Sequence, residues 1–370
     1  MSTSGYFRNY DQGIESEISF INAIKTPNNI VIMGSSELTG EDINYTKPFN
    51  FIPQYTNFDV LGIGHAGNQS FSILSQLLSV SNYLKNSKIV VIISPSWFTN
   101  KYGDGTSVSS FLEFNKARFL INIASEPNEN IEYKKYISEY IYNNYSLIES
   151  PNFGINTLYY YYLSNRNIIN KIVYYPIYGF LNFVNNYSRL NTNKFYNYAI
   201  NINHQLKKDN ITNINNQNFQ YSINWDSLFN ISINYQKSIS TNNSWGINND
   251  YYSNITKKRD NKRRIQVKDK WENQELNDMM MLIDLLMHYN SNPVFIVQAL
   301  NPYAYDDLCH MTPIIDKIII KLNNYNIPVL NQFTCYKDKY EIGVLTDAMH
   351  MGDLGWHKVN KFIIENYNNE

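Results

Sequence analysis

The sequence predicts an α/β domain of the doubly wound type, with helices on both faces of a parallel central sheet. Three observations favour this fold. Short apolar runs rich in β-branched residues are bounded by turn residues, segments of helical periodicity separate these runs, and a polar segment follows each run. With 370 residues, of which 43% are hydrophobic, the chain is long enough to bury a substantial core.

The strands are predicted from apolar runs that are too short to be helices. Residues 30–33 form the first run, which stops at a glycine and two serines. Similar runs predict buried parallel strands at 58–64, 88–94 and 292–300, and a weaker fifth strand at 327–332.

The helices are predicted from apolar residues at helical spacing. These patterns lie at 71–84, 132–150, 276–289 and 312–325. The last of them opens with Thr312 and Pro313, which suit the cap and the first turn of a helix because proline lacks the N–H that is unpaired there.

The alternation of strands and helices breaks between about 110 and 270. This stretch is rich in Asn, Tyr and Ile, and the part at 244–269 has an irregular, partly basic sequence. We interpret the chain as a single domain, 1–370, that carries a large and mostly helical insertion, and we expect the insertion to cover one side of the active face.

Charge and cysteine usage limit the classes of function. The chain has 31 Lys and Arg against 32 Asp and Glu, and this balance argues against a nucleic-acid binder. Cys309 and Cys335 do not form a zinc pattern, and whether they form a disulfide is left open. His204, His288 and His310 show no spacing typical of metal ligands, so neither a metal nor a cofactor is predicted.

No apolar segment is long enough to predict a membrane span. The best candidates are 172–184, interrupted by Pro176 and Gly179, and the short run 279–287, which contains Asp284. The first residues lack the basic and apolar regions of a signal peptide, so neither export nor a membrane anchor is predicted from them.

Five polar segments are expected to meet at one edge of the sheet, because ligands bind outside the carboxyl ends of parallel strands. They are "GSSEL" (34–38), "GHAGNQS" (64–70), "SPSWF" (94–98), "LNPYAYDD" (300–307) and "LTDAMHMGDLGW" (345–356).

The pair Asp347 and His350 carries most of the chemical argument. A neutral imidazole can accept a hydroxyl proton when a carboxylate orients its other ring nitrogen and balances the charge that develops. The hydroxyl would come from Ser35 or Ser36, at the end of the first strand. Both serines could instead only cap the helix that follows, with Glu37 in its first turn.

Together these segments resemble the SGNH/GDSL hydrolases and, among them, the DltD family, the D-alanine transfer proteins of teichoic acid D-alanylation. The resemblance is carried by "GSSEL" (34–38), "GHAGNQSFSIL" (64–74), "IISPSWFT" (92–99), "NPVFIVQALNPY" (292–303) and "DAMHMGDLGW" (347–356). It implies an SGNH-hydrolase-like, flavodoxin-like three-layer α/β/α fold.

The resemblance also implies roles for single residues. Ser36 matches the nucleophile, with Ser35 as the alternative, and His350 and Asp347 match the base and its orienting carboxylate. The oxyanion hole would use the backbone N–H groups of Ser36 and Gly67. The asparagine that supplies the third donor in the superfamily is missing from this sequence, and Ser96 lies near that place.

Other residues are open to more than one interpretation. Ser35, Asn68, Trp97, Asn301 and Tyr303 are candidates for a substrate pocket, and Asn68 is also an alternative oxyanion donor. Trp97 and Trp356 could wall the pocket or fill the core. His65 is expected to be structural, and His357 to lie at the surface or to pack.

The resemblance implies a D-alanyl transferase that acts through a covalent seryl ester in D-alanylation of (lipo)teichoic acid. Its implied partners are a membrane-bound O-acyltransferase (DltB-like), the D-alanyl carrier pathway and a polyol-phosphate teichoic acid acceptor, without nucleic acid. The implied location is the extracytoplasmic face of the cell membrane, with an N-terminal anchor that this sequence does not contain.

Two other functions stay open. One is an SGNH-type esterase or deacetylase that acts on cell-envelope esters, and the other is a non-catalytic scaffold for a membrane O-acyltransferase. An α/β-hydrolase is disfavoured because "GSSEL" lacks the G-x-S-x-G elbow. A dinucleotide-binding dehydrogenase is disfavoured because "GIGHAG" (62–67) lacks the full glycine fingerprint.

Overall fold

The structure is a computed structural model that describes residues 14–38, 45–125, 131–211, 223–256, 263–267 and 273–368. In chain order its strands are β1 (Asn29–Gly34), β2 (Asp59–Gly64), β3 (Lys88–Ile93), β4 (Arg263–Arg264), β5 (Asn292–Val297), β6 (Tyr305–Asp306) and β7 (Val329–Asn331).

Five of the described strands form one parallel sheet in the order β2-β1-β3-β5-β7. Counted among themselves, these strands run 2-1-3-4-5, which is the order of flavodoxin-like folds. All five predicted strands are therefore confirmed, and so is the predicted parallel α/β fold. The order reverses between β1 and β3, and this position is where such sheets bind ligands.

The helices of the first half of the chain are α1 (Ile14–Lys25), α2 (Pro48–Tyr55), α3 (Ser70–Leu78), α4 (Val108–Phe114), α5 (Ala117–Ser125), α6 (Ile131–Asn144) and α7 (Phe153–Asn165). Those of the second half are α8 (Ile168–Ile211), α9 (Trp225–Ile239), α10 (Asn249–Tyr251), α11 (Gln274–His288), α12 (Thr312–Asn324) and α13 (Asp353–Tyr367).

The sheet has a hydrophobic core on each face, which follows from the two-residue period of a strand. Val31 and Met33 point into the core that α1, α3, α11 and α12 cover. Ile30 and Ile32 point into the opposite core, which α2 and α13 cover. This arrangement makes three layers and explains why β1 is apolar at every position from 30 to 33.

Several helix boundaries differ from the predictions. The helix predicted at 132–150 ends at Asn144, and a 3₁₀ turn (Tyr145–Leu147) follows it. The helix predicted at 71–84 ends at Leu78, and a single 3₁₀ turn (Ser81–Tyr83) follows it. There the Val80 N–H donates to the Leu77 carbonyl, which closes a tighter turn than an α-helix has. Thr312 is the first residue of α12 rather than its cap, which is Met311.

The chain between β3 and β5 runs through α4 to α11 and includes β4, and α5, α7 and α8 pack against one another. Helix α8 continues through Pro176 and Gly179, where the sequence suggested an interruption. Helix α8 packs against α7, where Tyr178 contacts Tyr161 and Asn185 donates to Thr157 Oγ1. The division of the chain into a domain with an insertion at 110–270 stays a prediction.

In the described part of the chain, no helix combines the length and the apolar character that crossing a membrane requires. Even so, the outward face of α8 is apolar, with Ile172, Phe180 and Phe183 all more than half exposed.

Cys309 and Cys335 form a disulfide, which settles a pairing that the sequence left open. Their Cα atoms are 5.0 Å apart, and the bond joins the 3₁₀ turn before α12 to the segment after β7. It closes a loop of chain around α12, with the two cysteines 26 positions apart.

Candidate active site

Three side chains from the two ends of the chain meet at the carboxyl edge of the sheet. Ser36 Oγ lies 3.4 Å from His350 Nε2, and His350 Nδ1 lies 2.7 Å from Asp347 Oδ2. One ring nitrogen of the imidazole therefore faces a hydroxyl while the other faces a carboxylate. This arrangement suits removal of a hydroxyl proton by the ring.

Asp347 and His350 are brought together by the local fold of their own loop. Asp347 Oδ1 accepts the backbone N–H groups of Met349 and His350, both at 2.8 Å, and this is the usual way an Asp side chain stabilises a turn. The Thr346 N–H donates to the His350 carbonyl and closes the turn. Since Oδ1 is occupied by the backbone, Oδ2 is the oxygen that meets the ring.

The turn after β1 presents Ser36 and separates it from Ser35. Residues Ser36–Leu38 form a 3₁₀ turn, in which the Leu38 N–H donates to the Ser35 carbonyl. The Ser35 hydroxyl donates instead to the His65 carbonyl, at 3.1 Å, and the side chain is 5% exposed. Of the two candidate nucleophiles, Ser36 is thus the one in contact with His350.

The loop after β2 requires glycine at position 67. Gly67 has a φ of +93°, and a Cβ there would lie 2.7 Å from Ser110 Oγ on α4. The neighbouring Asn68 is fully buried, and its amide donates to the Gly34 carbonyl at 3.0 Å. Asn68 ties this loop to the end of β1, and its Oδ1 accepts from Gln76, so both ends of the side chain have partners inside the protein.

The loop after β3 carries two linked serines. Ser96 Oγ lies 2.8 Å from Ser94 Oγ, and Gln298 Nε2 at the end of β5 donates to Ser94 Oγ. Ser96 is partly exposed, whereas Trp97 is 4% exposed and belongs to the core. Trp356 is likewise a core residue, at 1% exposure. Of the two interpretations open for the tryptophans, the structure favours core filling.

The loop after β5 braces the Asp347–His350 loop rather than exposing Asn301. Asn301 is fully buried, its amide donates to the Trp245 carbonyl, and its backbone N–H donates to the Ala348 carbonyl. Tyr303 is partly exposed, and its hydroxyl donates to the Lys337 carbonyl. Of the candidate pocket residues, Tyr303 is partly exposed, and Asn301, Asn68, Ser35 and Trp97 are buried. A contact of any of them with a substrate stays a prediction.

The pKa shifts of the pair follow from its contacts. Burial opposes ionisation of Asp347, but hydrogen bonds from the His350 ring and the loop backbone outweigh it and lower the pKa of this carboxyl. The hydrogen bond to Asp347 raises the pKa of His350, against the opposing effect of burial. The His350 side chain is 43% exposed and the Asp347 side chain 13%, so the ring is open to solvent on one side.

Glu37 and Lys47 are charged residues that act on His350 and that the sequence analysis did not predict as site residues. Glu37 is 4% exposed, and its Oε1 accepts the Ser35 N–H at 2.5 Å. Burial raises the pKa of Glu37 to about 7. Lys47 is 8% exposed and acts electrostatically on both Glu37 and His350. A glutamate that follows a strand is typical of an exposed first turn of a helix, so the sequence around Glu37 does not predict that it is buried.

The other histidines have separate surroundings. His65 is exposed and lies 4.0 Å from Glu113, while His357 is buried edge-on to Phe51. His288 packs against tyrosine rings, His310 is exposed, and the side chain of His204 lies outside the described part of the structure. Within the described ranges, no cluster of three or more His, Cys, Asp or Glu side chains has the arrangement of a metal site.

Comparison with protein families gives a match that covers nearly the whole chain. The model of the DltD protein family matches residues 10–368. Comparison with curated proteins gave no match. Since the family match extends from before β1 to the end of α13, it includes all five segments at the carboxyl edge of the sheet. The chain therefore belongs to the DltD family, and this membership supports a role in the D-alanylation of teichoic acid.

Proposed function

We propose that the chain is a D-alanyl transferase that uses a Ser-His-Asp triad and a covalent seryl ester. The observation that carries the proposal is the 3.4 Å contact between Ser36 Oγ and His350 Nε2, with Asp347 Oδ2 on the other ring nitrogen. A hydroxyl in this position is activated when the ring takes its proton.

In the first half of the reaction, His350 Nε2 takes the proton of Ser36, and Oγ attacks the carbonyl carbon of an activated D-alanyl group. The bond from that carbon to the sulfur or oxygen of the donor breaks, and the leaving group takes the proton from His350. In the second half, a hydroxyl of the acceptor gives its proton to His350 and attacks the seryl ester. Ser36 Oγ then leaves and recovers its proton.

The oxyanion that forms in each half needs hydrogen-bond donors on one side of Ser36. Backbone N–H groups of Ser36 and Gly67 are the proposed donors, because they lie in the turns after β1 and β2, and these strands pair in register up to Gly34 and Gly64. Ser96 is the proposed third donor, oriented by Ser94. Removal of one such donor typically costs about 100- to 1,000-fold in rate.

The proposed acceptor is a polyol-phosphate teichoic acid, and the proposed partners are a DltB-like membrane-bound O-acyltransferase and the D-alanyl carrier pathway. We place the reaction at the extracytoplasmic face of the cell membrane. The disulfide between Cys309 and Cys335 supports this location, because such bonds persist in oxidising compartments and are rare in the cytosol.

Acyl-enzyme formation tests the proposal. The purified protein is mixed with a D-alanyl thioester, quenched in acid, digested and analysed by mass spectrometry. We expect one D-alanyl group on Ser36, none in the Ser36→Ala variant, and a retained label in Ser35→Ala, which serves as the matched control. Labelling of Ser36→Ala contradicts the assignment of Ser36 as the nucleophile. No labelling of the wild type while Ser36 is intact contradicts the transferase and leaves the scaffold role.

An esterase acting on envelope esters is the second candidate, and one observation favours it. The 43% exposure of the His350 side chain leaves water free to reach the ring and to compete with an alcohol for the seryl ester. The partition of the acyl group between water and added glycerol phosphate separates the two functions. Transfer that exceeds hydrolysis supports the transferase, and hydrolysis that is unaffected by the alcohol supports the esterase.

A further inference from the structure

The Glu37 carboxyl lies beneath the turn that presents Ser36. Its Oε1 accepts the Ser35 N–H at 2.5 Å, and the side chain is 4% exposed. A Cβ at position 34 would lie 2.2 Å from this same oxygen, so only glycine leaves room for the carboxyl at the end of β1. The carboxyl and Gly34 therefore depend on each other sterically.

Burial of a carboxyl group costs free energy, so a need to fill space does not account for a glutamate at this position. Removing such a group from water is unfavourable unless hydrogen bonds or opposite charges compensate. Glu37 has the Ser35 N–H and its own backbone N–H as donors. An apolar side chain of similar size would fill the same space without the cost, so the position gains something from the carboxyl itself.

Two titratable groups from other segments act electrostatically on Glu37. His350 comes from the loop before α13, and Lys47 directly precedes α2. Negative charge on Glu37 favours the protonated form of His350, whereas the positive charge of Lys47 disfavours it. Two carboxyl groups therefore act on the imidazole. Asp347 contacts the ring at 2.7 Å, whereas Glu37 acts through space from the turn whose Ser36 hydroxyl lies 3.4 Å from the ring.

We propose that Glu37 is a positioning residue, which holds the turn that presents Ser36 and sets, by its charge, the pH at which His350 becomes a free base. The inference rests on the proposed function, since it gives Glu37 a role in the activation of the same serine. The role is separate from those of the triad, because Glu37 acts on the turn through the backbone N–H of Ser35.

The two parts of this role require different properties of the side chain. Holding the turn needs an oxygen that accepts the Ser35 N–H, which a glutamine also supplies. Setting the protonation of His350 needs a charge, which a glutamine lacks. Because burial raises the pKa of Glu37 to about 7, the carboxyl changes its charge in the pH range in which histidine titrates.

Three variants separate these properties. Glu37→Gln keeps the acceptor and removes the charge, and Glu37→Ala removes both. Glu113→Gln removes the charge of an exposed carboxylate that lies by His65 and serves as the matched control. The probe is an alkyl fluorophosphonate, which forms a bond from phosphorus to Ser36 Oγ as fluoride leaves and the serine proton passes to His350.

The rate of Ser36 labelling is measured against pH, together with the NMR titration of the His350 ring and a thermal unfolding curve for each variant. We expect Glu37→Gln to label at a plateau rate within about 3-fold of the wild type, with its midpoint about half to one pH unit lower. Glu37→Ala should lower the plateau about 10- to 100-fold, as misplacement of a reacting group does. Glu113→Gln should match the wild type in the plateau labelling rate and in the midpoint pH.

A folded Glu37→Gln variant with the midpoint of the wild type, in labelling and in the His350 titration, overturns the inference while Ser36 still reacts. A merely structural role of Glu37 would give this result, since glutamine preserves the hydrogen bond. If Ser36 does not react even in the wild type, the proposed function fails instead. In that case the NMR titration alone tests whether Glu37 acts on His350 by its charge: a lower midpoint in Glu37→Gln than in the wild type supports this, and an equal midpoint contradicts it.

Discussion

Ser36 Oγ lies 3.4 Å from His350 Nε2, although 314 positions of sequence separate the two residues. The contact forms because β1 is a central strand and because the loop before α13 returns to its carboxyl end. Asn301 fixes that loop by donating its backbone N–H to the Ala348 carbonyl. The contact between Ser36 and His350 thus depends on the sheet, whereas the pairing of His350 with Asp347 depends on their own loop.

Substitution of the orienting carboxylate should reduce acyl transfer far more than it reduces stability. In Asp347→Asn the amide can no longer accept the N–H of the His350 ring in the same way, so the ring loses its tautomer and its charge balance. We expect the rate to fall about 1,000- to 10,000-fold, as it does when triad carboxylates are replaced. Single-turnover acylation measures this loss.

His350→Gln should give a loss at least as large, because it removes the base itself. The double variant should be slower than His350→Gln by no more than a few-fold, because residues that act as a unit are not additive. Multiplicative losses would show that Asp347 and His350 act independently, which contradicts the geometry.

The pH dependence of acylation should follow the raised pKa of His350. The hydrogen bond to Asp347 stabilises the imidazolium, so the free base that Ser36 needs appears only above the ordinary histidine value of 6.5. Activity should therefore be low in acid and should rise as the pH increases through a midpoint above 6.5. Pre-steady-state rates across this range check the midpoint, and a midpoint below the ordinary value would contradict the assigned base.

The pKa shifts of Asp347 and His350 change the unfolding free energy in opposite directions as the pH rises. The lowered pKa of Asp347 contributes stability above the unfolded value that is lost as the pH falls through the folded value. The raised pKa of His350 contributes stability in acid that is lost as the pH rises through its folded value. The pair should accordingly contribute most to the unfolding free energy between the unfolded-state pKa values of the Asp347 carboxyl and the His350 ring. Denaturant unfolding at several pH values measures this contribution.

Gly67→Ala should impair both folding and acylation. An alanine at a φ of +93° is strained, and its Cβ would press on Ser110 Oγ. We expect a loss of about 1–3 kcal/mol in unfolding free energy and a slower acylation, because the N–H of this residue is displaced.

Gly179→Ala is the matched control for this substitution. Gly179 lies within α8, and a Cβ there meets no atom within 4 Å. Alanine should leave acylation unchanged and should raise the unfolding free energy by about 0.5–1 kcal/mol, because it is the better helix former. Equal effects of the two alanines on acylation would show that the loop after β2 has no special role.

Removal of the disulfide should destabilise the protein. The bond between Cys309 and Cys335 closes a loop of 26 positions, and the chain-entropy estimate for a loop of this length is about 3–4 kcal/mol. Denaturant unfolding of the wild type and of the Cys309→Ser, Cys335→Ser double variant measures the difference. Equal unfolding free energies, with the bond intact in the wild type, would contradict a stabilising role.

Local patterns in the sequence determined the five strands of the central sheet, four of the helices and the Asp347–His350 turn. These features depend on side-chain periodicity and on turn chemistry within a few residues, so one sequence is enough to predict them. The polar segments at the strand ends were predictable for the same reason, because parallel strands bring their carboxyl ends to one edge.

Only the tertiary structure decided which of the adjacent serines meets His350, since Ser35 turns to the His65 carbonyl and Ser36 to the ring. It also decided that Asn68 is locked inside the protein and that Glu37 is buried under the turn. These facts depend on contacts between segments far apart in the chain. Burial and orientation arise from packing across the sheet, and a local pattern of residue types does not contain that information.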